Sequence, residues 1–345
     1  MNEHIKSYDD FKIACGVDTL YFFIETIAEY IDLYKEIESE IQSKIAYFSE
    51  KKLTYENRDI MIQVGEYTLE YLGSAKGFIF LAESNDYFKV GFKHPHKQQN
   101  LHNIKVDLKS KAIYTLGLPT ILENIKSSIL GRCAKGFHIS RADINCFINY
   151  DFSSFTSNDF VSRKRKWRNI KEDRGSSSKA QTIYIGNNPL KLRLYDKKAE
   201  LKRDEHKELF MFEYFLLHGL SLHEPIWNVE FEVHREEFKS YSILTIDDFL
   251  SKIEMLFKTF TKDIRLAYVY RLSDSEIKNR HRNRAKSIEV WEYIHKNFTI
   301  SLFQQSFDKL RKIRVAYEPR LIEEIYHAKL EEVYEWGKSK GISFA

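Results

Sequence analysis

Proline and glycine are scarce, with 5 and 13 among 345 residues. That leaves little room for long structureless linkers. Cysteine is scarcer still. The three present (Cys15, Cys133, Cys146) are odd in number, widely spaced and not in CxxC pairs. This disfavours both a disulfide framework and a cysteine zinc site, and suits a reducing cytoplasm. No apolar run approaches the roughly 18 residues a membrane span needs. The opening MNEHIKSYDDFK is too charged for a signal peptide. A cytoplasmic protein with no membrane partner is expected. The formal net charge of +4 is ordinary; the information lies in two local clusters of cations, Arg163–Arg168 and Arg280–Arg284.

What is present is a large apolar complement: 43% of residues are hydrophobic and 14% aromatic. The length suits one large domain or two of about 150 residues. Gly16–Glu25 reads as a strand. Thr26 to about Glu50 carries apolar residues at helical spacing and reads as an amphipathic helix. Residues 53–106 alternate in short runs punctuated by glycine and Asn-Asp, as an antiparallel meander does. A helix follows through about Leu130, with Thr120 as cap and Gly131 as stop. Asp204–Leu220 and several segments after Leu244 read as helices. The expected class is α+β: an antiparallel sheet core with packed helices, followed by a mostly helical C-terminal region. The division falls near residue 245, giving an α/β part over 1–245 and a helical part over 246–345.

Three strands carry alternating polar residues. In HISRADINCFINYDF, Ala142, Ile144, Cys146 and Ile148 alternate with Arg141, Asp143, Asn145 and Asn149, with Phe147 as an exception. QTIYIGNNPLKLRLYDKKAE (Gln181–Glu200) reads as a β-hairpin around Gly-Asn-Asn-Pro. Its second strand sets Leu192 and Leu194 on one face and Arg193, Tyr195 and Lys197 on the other. In WNVEFEVH, Trp227, Val229, Phe231 and Val233 face a core, and Asn228, Glu230, Glu232 and His234 face out. A tyrosine between two cations is a candidate nucleophile for a phosphodiester. An unperturbed phenol near pKa 10 needs positive charge beside it to attack as the phenolate. If the strands are neighbours, their carboxylates are the ligands that Mg²⁺ or Mn²⁺ prefer. Periodicity leaves a second reading open, because an antiparallel sheet normally has one solvated face on which these residue types are ordinary.

RADIN, then TIYIGNNPLKLRLYDKKAE, then WNVEFEV resembles the core of the rolling-circle replication initiators of the pT181 plasmid type, a group that includes relaxases of conjugative elements. The pattern is an R-x-D strand, a Y-x-G hairpin, an R-x-Y-x-K strand and a W-R-V-E strand, over about Phe137–Phe238. The resemblance implies nicking of one origin strand through a covalent 5′-phosphotyrosine, with Mg²⁺ or Mn²⁺. It implies Tyr195 as nucleophile, beside Arg193 and Lys197, and Asp143 and Glu230 as metal ligands; Glu232 completes the expected set. The family carries a second aspartate where this chain has Phe147, and an arginine where it has Asn228. A non-catalytic DNA-binding regulator and a conjugative relaxase are the alternatives. The expected partners are single- and double-stranded origin DNA, a host helicase and a second copy of the chain.

Arg141, Lys198 and the run Arg163, Lys164, Arg165, Lys166, Trp167 and Arg168 are candidate DNA contacts, the cations for phosphates and Trp167 for an unpaired base. A solvated charged loop is the other reading of that run, since Thr156–Lys179 reads as a loop or short helix. Tyr184 is a competing nucleophile without flanking cations. His94-Pro-His96 reads as a surface turn, His138 and His234 as structural, and Cys146 as core.

Overall fold

The computed structural model describes residues 10–97, 102–162, 170–173, 181–203, 205–273, 275 and 281–300. The strands are β1 (Ile13–Thr26), β2 (Met61–Val64), β3 (Tyr67–Ala75), β4 (Phe78–Glu83), β5 (Phe88–Lys93), β6 (Ile104–Leu108), β7 (Ala134–Ile148), β8 (Phe160–Ser162), β9 (Ile170–Asp173), β10 (Thr182–Asn187), β11 (Leu190–Asp196), β12 (Trp227–His234) and β13 (Ile264–Leu266). The helices are α1 (Tyr30–Glu50), α2 (Ser110–Leu116), α3 (Leu118–Ser127), α4 (Ile129–Arg132), α5 (Lys197–Leu201), α6 (Glu205–Leu217), α7 (Arg235–Ser240) and α8 (Ile246–Asp263), with a further helix at Glu289–Asn297. The class is α+β, as its alternating and helical segments imply. The chain divides into two compact units, one of residues 17–144 and 233–253, the other of residues 1–16, 145–232 and 254–345.

The first of these units is built on a meander. Its strands run in the order β2-β3-β4-β5-β6-β1-β7. β6 returns antiparallel along β1, with Leu20 opposite Leu108, Phe22 opposite Val106 and Ile24 opposite Ile104. Those six side chains are fully buried, so a one-residue slip would turn this row to the other face. At Gly91 the strands approach too closely for any side chain: a Cβ there would lie 2.8 Å from the Phe80 ring. α1 buries Leu33, Tyr34, Ile37 and Ile41, at helical spacing. The Tyr30 hydroxyl donates to the Lys93 carbonyl at 2.6 Å, and burial raises its pKa.

The expected helix through Leu130 is in fact two. α3 begins at Leu118, with Gly117 at φ 85° before it and Pro119 in its first turn. Proline is tolerated there because the missing N–H has no helical partner in any case. Thr120 therefore lies inside the helix rather than at its cap. The break falls at Ser128, whose hydroxyl accepts from the Leu130 amide at 3.2 Å to start α4, and Gly131 lies within α4.

In the second unit the strand order is β7-β12-β11-β10-β9. The hairpin forms as its pattern predicts: β10 pairs antiparallel with β11, with Thr182 opposite Tyr195, Tyr184 opposite Arg193 and Asn187 opposite Leu190. Ile183, Ile185, Leu190, Leu192 and Leu194 are its buried row. The stretch expected as a loop before the hairpin contains β8, which pairs with β13, and β9, which pairs with β10. Phe231 packs at 5.4 Å and 5.5 Å on Phe257 and Phe260, and Phe257 stacks at 3.8 Å on Phe298. The Trp291 indole donates to the Thr261 carbonyl at 3.0 Å, tying the Glu289–Asn297 helix down. The last expected helix, from Pro319, lies outside the described residues. Among the described residues no helix is long and apolar enough to cross a membrane.

His218, just past α6, sits 4.3 Å from the Tyr214 ring. Burial pulls its pKa down from 6.5 to about 4. The folded state thus keeps this imidazole neutral, while the unfolded chain protonates it below about pH 6.5. Its contribution is complete above pH 6.5, falls as the pH drops from there to about 4, and is constant below that. The loss amounts to at most ~3 kcal/mol. In urea denaturation across pH 4–7, wild type minus His218→Gln is expected to show that slope; parallel curves would contradict it.

Candidate active site

β11 alternates as a half-buried strand should, with Lys191, Arg193 and Tyr195 partly exposed opposite the buried leucines. β12 does not. Three of its four expected outward residues are buried: Asn228 and Glu230 have 0% of their surface exposed and Glu232 has 6%, while His234 at the strand end is half-buried. The same holds for β7, where every residue from Ala142 to Ile148 is buried. The face read as solvated in these two strands is interior. Buried carboxylates are tolerable only when paired and hydrogen-bonded.

The pairs form a ladder between β11 and β12. Lys191 Nζ bonds Glu232 Oε2 at 2.8 Å. The Arg193 guanidinium bonds Glu230 Oε1 and approaches Glu232 Oε2 at 3.9 Å through Nε. The Tyr195 hydroxyl donates to Glu230 Oε2 at 3.1 Å. Asn228 Nδ2 donates to the Tyr195 oxygen at 2.8 Å and to Glu230 Oε2 at 3.0 Å. From Lys191 to Tyr195 the partners step backwards from Glu232 to Asn228, two residues at a time. That is how cross-strand partners run on one face of an antiparallel pair. Asn145 on β7 donates to Asn228 Oδ1 at 3.3 Å; the Asn228 amide turns its NH₂ to Tyr195 and Glu230 because a carboxylate only accepts.

The remaining expected residues stand as follows. Asp143 is buried and is gripped by Arg141, Nε to Oδ1 at 2.9 Å and Nη2 to Oδ2 at 2.7 Å. The same guanidinium lies 5.3 Å from the Tyr21 ring. Lys197 does not continue the strand. Asp196 ends it by accepting from the Ala199 amide at 3.0 Å, and Lys197 opens α5. Its buried ammonium bonds Glu200 at 2.7 Å and lies 5.6 Å from the centre of the Tyr195 ring. Lys198 donates to the Leu222 carbonyl. Arg163–Arg168 lie outside the described residues. Phe147 is core: it is fully buried, with Phe215 at 5.0 Å and Tyr214 at 6.1 Å. Tyr184 is opposite Arg193 on β10, one rung from Tyr195. Cys146 is buried as expected, 3.7 Å from Cys15, and its thiol pKa is raised by that burial.

The carboxylates that the resemblance implies for Mg²⁺ or Mn²⁺ are each held by a cation of the chain: Asp143 by Arg141, Glu230 by Arg193 and Glu232 by Lys191. Each oxygen of Asp143 and of Glu230 thus already accepts a hydrogen bond, and a hard cation at these carboxylates would share their remaining lone pairs or displace those donors. Among the described residues, the group of His, Cys, Asp or Glu side chains close enough to share an ion is Glu25, His102 and His138. The sequence reading gives no site role to Lys191, Asn145, Glu25 or His102, and takes His138 as structural. The first two share the two-residue spacing of the motifs beside them; the trio comes from separate segments and has no spacing signal.

What the ladder can do chemically is move a proton. Transfer from Tyr195 to Glu230 leaves a phenolate and a neutral acid, so the pair keeps one negative charge throughout. Arg193 then faces a neutral Glu230.

No protein-family model matches the chain, and no curated protein matches it. Among solved structures it is similar to a rolling circle replication initiator protein from Geobacillus stearothermophilus, with a TM-score of 0.44 and 11% identity, over 84% of this chain and 96% of that one. A TM-score below 0.5 assigns no function; that is read from the side chains.

Removing one member of the buried ion pair strands the other. Arg193→Ala is expected to destabilise the protein by ~3 kcal/mol, because Glu230 keeps its desolvation cost without its partner. Arg193→Met with Glu230→Leu removes both charges and is expected to recover most of the loss. Chemical denaturation of the three proteins measures it, and a double variant less stable than Arg193→Ala would contradict the ladder's energetics.

Proposed function

We propose that the protein is a DNA nicking and strand-transfer enzyme that starts rolling-circle replication of a plasmid or phage-like element, with Tyr195 as nucleophile. The observation that carries the reading is the bond from the Tyr195 hydroxyl to the buried Glu230 carboxylate, in a chain whose motifs occur in the order of the pT181-type initiators. A phenol already bonded to a carboxylate has its proton acceptor in place, at the 2.6–3.2 Å reach that general-base catalysis needs.

In this mechanism the Tyr195 oxygen attacks the phosphorus of one strand in line. Glu230 takes the phenol proton, a new P–O bond forms to tyrosine, and the bond to the 3′ oxygen breaks. The 3′ oxygen leaves as a hydroxyl, taking a proton from solvent, and is free to prime synthesis. Arg193 sits where it offsets charge on the phenolate and on the equatorial phosphate oxygens. Asn228, in place of the family's arginine, donates to the Tyr195 oxygen and stabilises it as its proton departs. A divalent cation, Mg²⁺ or Mn²⁺, when bound would polarise the phosphodiester; the proton transfer itself needs only Tyr195, Glu230, Arg193 and Asn228. Arg141, Lys198 and the Arg163–Arg168 run are proposed DNA contacts. A host helicase and a second copy of the chain are the proposed partners. A conjugative relaxase would use the same chemistry, and a mobilisation gene cluster beside the gene would mark it.

The test incubates the protein with single-stranded oligonucleotides tiling the DNA around its own gene, with Mg²⁺ or Mn²⁺, and maps covalent adducts by mass spectrometry. The adduct is expected on Tyr195, to be absent from Tyr195→Phe, and to survive in Tyr184→Phe. Glu230→Gln is expected to slow it by about 10²-fold or more. An undiminished adduct in Tyr195→Phe overturns the assignment. Specific binding with no cleavage under either metal would make the protein a DNA-binding regulator.

A further inference from the structure

Three side chains that the nicking chemistry does not use meet in the unit of residues 17–144 and 233–253. Glu25 is the penultimate residue of β1, His102 lies two residues before β6, and His138 is on β7. β1 runs between β6 and β7, so two of the three lie on adjacent strands and His102 lies on the segment leading into the third. One carboxylate oxygen of Glu25 and one ring nitrogen from each histidine lie within 4.8 Å of one another. Glu25 Oε2 is 3.1 Å from His138 Nε2. The His102 and His138 rings are stacked, with centres 4.1 Å apart and planes 13° apart.

We propose that Glu25, His102 and His138 form a binding site for a divalent transition-metal ion of the Zn²⁺ class, with its remaining positions open to water or a phosphate oxygen.

The donor set selects the ion. Two imidazoles and a carboxylate suit Zn²⁺, Co²⁺ or Ni²⁺, and three such protein ligands are the set that leaves a Zn²⁺ position open. Mg²⁺ prefers oxygen ligands in near-octahedral geometry, so two imidazoles disfavour it. Lys135 occupies Glu25 Oε1 at 2.7 Å, and Oε2 is the oxygen that faces His138. All three ligands are half-buried, open enough for an ion to enter.

Bond lengths set the adjustment. Zn–N bonds of 2.0–2.1 Å put tetrahedral donors ~3.3 Å apart, so side chains now spanning up to 4.8 Å must draw in. Ring lone pairs lie in the ring planes, so two stacked imidazoles must tilt apart to aim at one ion. An ion held this way would cross-link β1, β7 and the segment leading into β6. The site shares no residue with the Tyr195 ladder.

The test uses full-length protein stripped with a chelator and titrated with Zn²⁺, with Co²⁺ as a visible-absorption probe. Expected are one tight Zn²⁺ per chain, a Co²⁺ spectrum of low coordination number, and a Zn²⁺-dependent rise in Tm. His102→Gln and His138→Gln are each expected to weaken Zn²⁺ at least about 100-fold, since even residues behind the ligands are worth 10–100-fold, and to lose the Tm rise. Glu25→Gln, which keeps shape and a hydrogen-bonding end, weakens it in the same direction. His94→Gln with His96→Gln leaves it intact. Tm without metal verifies that each variant folds. Wild type that takes up no Zn²⁺, or uptake that survives in the His102→Gln/His138→Gln double variant, overturns the proposal. Because the readouts are metal content and Tm rather than DNA adduct, the outcome is independent of the nicking reading.

Discussion

The constraint on which the candidate active site depends is the burial of charge on β12. Glu230 is wholly inside the protein, where an unpaired carboxylate would cost several kcal/mol. It is kept by a guanidinium on one oxygen and by two neutral donors on the other. Glu232 is kept by Lys191. These partners all sit on β11 or on β12 itself, so the register of two strands is what makes the interior tolerable. The same contacts give Tyr195 its proton acceptor. Stability and the proposed chemistry therefore use one set of hydrogen bonds.

Two positions differ from the pattern of the initiators that the sequence resembles, and the packing describes both. Phe147 stands where the family has an aspartate, and its ring fills a pocket against Phe215 and Tyr214. The buried Lys197 ammonium lies 5.7 Å from the centre of the Phe147 ring, so a cation is near this position although its side chain packs as core. Asn228 stands where the pattern that the sequence resembles has an arginine, and its amide reaches both the Tyr195 oxygen and Glu230. It supplies a donor without adding a second buried cation beside Arg193.

Much of this is legible in the sequence, for reasons that can be named. The hairpin is legible because TIYIGNNPLKLRLYD alternates on both sides of a turn of Gly, Asn and Pro. α1 and α8 are legible because their apolar residues recur at helical spacing. The burial of β7 and β12 is not, because alternation reports which residues share a face and not what covers that face. Glu230 on a solvated face and Glu230 in an interior ladder have the same spacing. The end of β11 is hidden for a different reason: Asp196 competes as a helix cap, a choice made by a hydrogen bond to Ala199 rather than by hydrophobic pattern. Glu25, His102 and His138 are invisible because 113 residues separate the first from the last, and only the fold joins them.

The turn between β10 and β11 offers a consequence for engineering. Surface turns are the usual places to lengthen a chain, insert a tag or cut a protein for complementation. Here only Asn188 and Pro189 separate the paired strands, and β11 answers to β10 on one side and to β12 on the other. A residue added at that turn has nowhere to go unless one of the two pairings shifts. If β11 slides by one, leucines meet Glu230 and Glu232, and arginine and lysine turn toward the leucine face. A tolerant-looking turn is therefore a poor insertion point.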